Sequence, residues 1–147
     1  MVVTVRHSLE TSGQGDAHDL TSVLAAALAD SSLANGIATV SVVGSTAGIT
    51  TLEFESGVVR DLNETCERLA PRMGEYLHHL RWGDDNGSSH VRAALLGPSV
   101  TIPFTDRSLT LGTWQQVTLV ECDLGLVIVR VSFSLSEIEL IAAGPSC

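Results

Sequence analysis

Alternation of apolar and polar side chains marks both ends of this chain, and helical spacing marks its middle. "MVVTVRHSLE" (1–10) alternates as a first strand, and "TSGQGD" after it is a turn. Leu20, Val23, Leu24, Ala27 and Leu28 share one helical stripe, which Asp19 or Thr21 can cap and Asn35-Gly36 can stop. The β-branched run "IATVSVV" (37–43) predicts a mostly buried strand, and "GSTAG" (44–48) a small-residue break. "ITTLEFE" (49–55) alternates again, with Leu52 and Phe54 opposite Thr51, Glu53 and Glu55. From Gly57 a second stripe runs through Val58, Leu62, Cys66 and Leu69, with Glu64 and Arg68 spaced for an i, i+4 pair. Pro71 ends that helix and can begin a short one in "PRMGEYLHHL" (71–80). "WGDDNGSS" (82–89) is a loop whose Ser88 or Ser89 can cap "HVRAALLG" (90–97). Beyond Pro98 the pattern is strand throughout: "SVTIPF", "SLTL", "WQQVTLVEC" and "VIVRVSFSL", with "EIELIAA" as a last edge strand. Val127, Val129, Val131 and Phe133 share a face.

Strands flanking a helical middle, with a C-terminal half built from consecutive hairpins, predict an α+β class with mainly antiparallel sheet. The 147 residues fit one domain, 1–147. Charged residues make up only 17% of the chain against 44% apolar, which implies surface buried between subunits and a homo-oligomer. The net charge of −9, with the basic residues scattered, excludes a general nucleic-acid footprint. All eight basic residues are Arg. A lysine Schiff base, a P-loop lysine and a lysine general base are therefore excluded, and any phosphate must be held by Arg, backbone amides, helix N-termini or a metal. Cys66, Cys122 and Cys147 are odd in number and form no C-x-x-C pair, which points to a reducing, cytoplasmic setting. No apolar run approaches the ~20 residues of a membrane span, and the N-terminus lacks a signal-peptide core.

The densest chemistry lies in "EYLHHLRWGDDNGSSH" (75–90), with three of the five histidines. Imidazoles and carboxylates around a helix end and a loop are the ingredients of a metal or acid/base site. Neighbours His78 and His79 point about 100° apart on a helix, so one of them paired with His90 is the plausible couple. The spacing matches no zinc motif. Ser45, Thr46 and the backbone of the small-residue turn can offer donors to an anion. Gln115 and Glu121 fall on one strand face, and Glu121 needs a partner if buried beside Val117 and Leu119.

Three blocks resemble the YjbQ-like family, often described as secondary thiamine-phosphate synthases: "VVGSTAGITTLEFESGVVRDL" (42–62), "YLHHLRWGDDNGSSHVRAALLGPSVTIPF" (76–104) and "LTLGTWQQVTLVECD" (109–123). "LGTWQ" following an "LLGPSVTIPF"-type strand is the most specific of them. The resemblance implies a compact α+β subunit forming a homotrimer through its sheets. It implies catalytic roles for His78, His90, Glu53 and Glu121, and a substrate site walled by Ser45, Thr46, Asp85, Asn86, Trp114 and Gln115. A divalent ion, Mg or Zn, would sit on His78 and His90. Many members place a third His where this chain has Gly44, and a Gly where it has Arg107, which alters a hairpin and could bring a cation toward the site. The implied reaction joins a pyrimidine pyrophosphate to a thiazole phosphate. A metal-dependent hydrolase of a small substrate and a non-catalytic trimer binding a ligand or metal are the alternatives.

Overall fold

A computed structural model describes residues 1–138. The chain runs β1 (Val2–Thr11), β2 (Ala17–Asp19), α1 (Thr21–Asp30), β3 (Gly36–Val43), β4 (Ala47–Leu52), α2 (Ser56–Leu69), α3 (Leu77–Trp82), α4 (Gly87–Leu96), β5 (Ser99–Thr105), β6 (Ser108–Leu109), β7 (Gln116–Glu121) and β8 (Val127–Glu137). The strands form one sheet in the order β1-β8-β3-β5-β6 and a smaller one in the order β2-β7-β4. Every pairing is antiparallel, as the α+β reading expects.

The alternation does its work in the large sheet. Val129, Val131, Phe133 and Leu135 of β8 and Ala38, Val40 and Val42 of β3 are buried on one face. They pack with Ala47 and Ile49 of β4, Val117 and Leu119 of β7, and Leu20, Leu24 and Leu28 around α1. The two sheets thus share one core; alternate residues of β3 and β8 leave water, whereas Val117–Glu121 of β7 are buried throughout.

The C-terminal strands are not consecutive hairpins. Only β5 and β6 form one; β7 crosses to the small sheet and β8 inserts between β1 and β3. Hydrophobic period assigns a residue to a face but does not name the neighbouring strand. The β5–β6 hairpin turns on Asp106 and Arg107, both with left-handed φ (50° and 61°). Arg107 donates its backbone N–H to Ala34, at the Gly36 end of β3, far along that strand from the Ser45 turn. Its cation is not delivered to the histidines.

Several local expectations shift. Helix α1 ends at Asp30, and Gly36 already belongs to β3, so Asn35-Gly36 does not cap it. Asp19 Oδ1 accepts from Thr21 N (2.8 Å), while Thr21 Oγ1 accepts from Val117 N, tying α1 to β7. Strand β4 stops at Leu52, and Glu55 becomes the N-cap of α2, accepting from Gly57 N and Val58 N. Glu64 pairs with Arg60, not Arg68. The short helix after Pro71 begins only at Leu77. Residues 139–143 of the expected edge strand lie outside the described residues.

Candidate functional site

Helix α4 carries the site. Its N-cap is Asn86, so Ser88 and Ser89 lie inside its first turn and do not cap it. A close approach by α3 requires Gly87: a Cβ there would fall 2.5 Å from Tyr76 Cβ and 3.0 Å from His79 Nε2. Gly87 N donates to that nitrogen at 3.2 Å, which commits His79 to structure. His78, about 100° round α3, is left facing α4, where its ring centroid lies 4.6 Å from that of His90.

The pairing of His78 with His90 is therefore formed in the fold. His90 Nδ1 lies 3.1 Å from the carbonyl oxygen of Ser45. A carbonyl only accepts, so in this contact Nδ1 carries the proton and Nε2 is the basic nitrogen. His78 Nε2 lies 3.3 Å from Asp84 Oδ1 but outside hydrogen-bond geometry, and has no hydrogen-bond partner. Gly44, Ser45 and His90 line a shallow cavity of about 300 Å³ floored by Ala47 and Ala93.

Ser45 and Thr46 stand beside His90 through that turn, but both use backbone there: Thr46 O accepts from Cys122 N. Asp85 is exposed, and Asn86 is half-buried with its Oδ1 unpartnered. No three His, Cys, Asp or Glu side chains among the described residues are arranged to hold one ion. His78 and His90 supply two donors and Gly44 supplies none, so a resident metal does not fit the site as one chain builds it.

Glu121 is 1% exposed and fully engaged. Its Oε2 accepts from Thr11 Oγ1 (2.9 Å), and its Oε1 accepts from Cys122 N (2.9 Å) and Asp123 N (2.8 Å). The partner its burial demands is a strand-end network, and a carboxylate so satisfied has little capacity left for a substrate.

Trp114, Gln115 and Glu53 are elsewhere. In the β4–β7 ladder Ala47 faces Glu121 and Leu52 faces Gln116. Five residue steps separate those ends, about 17 Å along the strands. Glu53 and the Trp114 loop follow the Leu52–Gln116 end; the histidine turn is at the other. Trp114 is 71% exposed, and Gln115 holds its own loop, with Oε1 accepting from Gly112 N and Nε2 donating to Thr51 Oγ1. Within one chain these residues do not wall the histidine cavity.

Sequence reading missed Ser88, Ser89 and Arg92, all buried on α4, the helix that carries His90. Arg92 donates from Nε to Ala70 O (2.8 Å) and from its guanidinium to Glu67, clamping α4 to the end of α2. That guanidinium hydrogen bond holds the Glu67 carboxyl below its ordinary value. Glu67 therefore adds stability above the usual carboxylate range, and loses it as pH falls through the depressed value. An arginine at an otherwise apolar helix position was the available signal.

Burial raises the Cys66 thiol, and it pushes Cys122, with Cys66 and Glu121 nearby, up to about 12. At pH 8 the Cys122 thiolate is then ~10³-fold scarcer than an ordinary one. Peptide mapping after iodoacetamide treatment is expected to find Cys66 and Cys122 unmodified in the native chain and labelled once it is denatured. Rapid native labelling of Cys122 would contradict the buried placement.

The family model described as "UPF0047 protein YjbQ-like" matches residues 5–131. A UPF0047 protein of Methanothermobacter thermautotrophicus is 37% identical over 122 residues, covering 83% of this chain and 84% of the relative. One from Mycobacterium tuberculosis is 39% identical over 106 residues, covering 71% and 77%. A crystal structure of an uncharacterized YjbQ/UPF0047-family protein of Clostridium acetobutylicum superposes with TM-score 0.81 at 30% identity, covering 90% of this chain and 99% of that one. A hypothetical protein of Aeropyrum pernix gives 0.84 at 27%, covering 92% and 99%. These names specify a family and no reaction.

Proposed function

The chain belongs to the UPF0047 YjbQ-like family, and from that premise we propose that it is an enzyme acting at the phosphate or pyrophosphate group of a small molecule through His78 and His90. The reaction to test first is the thiamine-phosphate synthase type that the resemblance implies. One observation carries the reading: two imidazoles 4.6 Å apart, from different elements, of which His90 lines an open cavity. Imidazoles suit proton transfer near neutral pH. His90 Nε2, the ring nitrogen left free by the Ser45 carbonyl, can take a proton from solvent and give it to a departing pyrophosphate oxygen, and His78 stands across from it to share that proton. In the synthase reaction the thiazole nitrogen bonds to the pyrimidine methylene carbon as that carbon's bond to the pyrophosphate oxygen breaks. The work left to the chain is to hold the departing pyrophosphate and manage its protons.

A homotrimer is part of the same proposal. Leu77 and Leu80 of α3 are each 85% exposed and Trp82 is 67% exposed, an apolar face that association would cover. The half-site at Trp114 would then face a neighbour's surface in place of its own histidines. A trimer that binds a ligand without turnover is the second reading, favoured by Gly44 and by the separation of Trp114 from His90.

The test supplies the pyrimidine pyrophosphate and thiazole phosphate with Mg²⁺ and quantifies thiamine phosphate and free pyrophosphate. His90→Ala and His78→Ala are expected to lose about 10²–10⁴-fold in turnover while keeping the wild-type circular dichroism. Pyrophosphate without thiamine phosphate would replace the synthase by a hydrolase. Neither product from folded protein would leave the binding reading. Sedimentation of the same samples reads the trimer independently, and a monomer would remove it.

A further inference from the structure

The buried side-chain atoms without a hydrogen-bond partner among the described residues are His78 Nε2, Asn86 Oδ1, Ser88 Oγ and Ser89 Oγ. Three of the four belong to the start of α4, and His78 faces that helix through His90. Ser88 and Ser89 are 0% exposed, where an unsatisfied hydroxyl costs stability. The N-cap offers no side-chain hydrogen bond to the first turn, and the Ser88 amide has no acceptor within the helix. Elsewhere this fold satisfies its buried polar groups: Glu121, Thr11 and Arg92 each have partners.

We infer that the first turn of α4 is an oxyanion subsite for a phosphate or pyrophosphate group, with Ser88 Oγ, Ser89 Oγ, the Ser88 amide and the His78 imidazole as its donors. Hydroxyls, a helix amide and an imidazole can all donate to phosphate oxygens, and the positive end of a ten-residue helix favours negative charge. Asn86 joins them through its amide group once that side chain turns. The arriving oxyanion displaces Asp84, now 3.3 Å from His78 Nε2. In the single chain the neighbouring α3 buries none of its own residues, so a local shift that keeps His78 facing α4 gives up little packing. With no lysine in the chain and Arg92 committed to Glu67, helix and hydroxyl donors are the means this fold has left at the site. The subsite deepens the reading above, and rests on it for the identity of the molecule that carries the phosphate.

The test uses inorganic phosphate and pyrophosphate on the full chain at fixed ionic strength, read by titration calorimetry and thermal melting. Wild-type protein is expected to bind in the millimolar range or tighter and to melt higher with either anion than with chloride. Ser88→Ala/Ser89→Ala removes two unpartnered hydroxyls, so it is expected to melt without phosphate at least as high as wild type and to bind at least tenfold more weakly. Imidazole chemical shifts of His78 and His90 in the wild type are expected to move on phosphate titration, which keeps the test alive should the variant not fold. Wild-type binding by the double variant, or no heat and no imidazole shift with either anion, overturns the subsite. Phosphate binding through these serines without turnover refutes only the catalytic reading. Turnover by a protein whose phosphate binding ignores them refutes only the subsite.

Discussion

Gly36→Ala is expected to be the most destabilising single change in the chain. Gly36 opens β3 and pairs with Phe104 of β5 on one side and Glu137 of β8 on the other. A Cβ at this position would lie 1.9 Å from Ser136 O and 2.8 Å from Phe104 Cζ. The first contact is with backbone, which no rotamer change relieves. The strand must separate from β8, or Phe104 must leave a core in which it is 1% exposed. Overpacking typically costs 1–3 kcal/mol, and a backbone clash this close belongs above that range, at about 4 kcal/mol. For a domain of this size that is a fall in melting temperature of about 10 °C or more. A fall of a few degrees only would mean that β3 opens at its first residue and that the pairing there contributes little.

Glu121→Ala is expected to come next, at about 3–4 kcal/mol, because it removes the acceptor of the Asp123 amide and one of the two acceptors of the Cys122 amide, the other being Thr46 O, and opens a cavity at a fully buried site. Glu121→Gln is expected to cost about 1 kcal/mol. The Gln carbonyl can still accept from both amides. Its NH₂ would face Thr11 Oγ1, whose hydroxyl also lies 3.1 Å from Val127 O and can donate there instead. The two variants separate support from chemistry. A structural Glu121 gives a large melting shift in Glu121→Ala and near-wild-type turnover in Glu121→Gln. A Glu121→Gln protein that melts like wild type but has lost turnover would return Glu121 to the reacting groups.

The family resemblance and the α+β class were legible in the sequence, because both rest on local order: alternating strands, two amphipathic stripes, and motif blocks that hold their spacing. The pairing of one neighbouring histidine with His90 was legible as well. A helical rotation of about 100° per residue turns His78 and His79 toward different neighbours, and the fold assigns His79 to Gly87 and His78 to His90. The need of a buried Glu121 for partners could be stated in advance, but not their identity. Thr11 is 110 residues away and reaches it only through the packing of β1 near β7.

Only the tertiary structure decided which candidates meet. Trp114 and Gln115 belong to the most specific block, yet the antiparallel register of β4 and β7 sets them at the far end of the ladder from Ser45 and His90. A motif records which residues occur together along the chain, whereas strand register decides which lie together in space, and register is set by the shared core rather than by the motif. Ser88 and Ser89 show the converse. In sequence they look like two ordinary cap residues in a polar loop. One turn of additional helix places their hydroxyls in the interior without partners, where burial gives them a significance that composition could not.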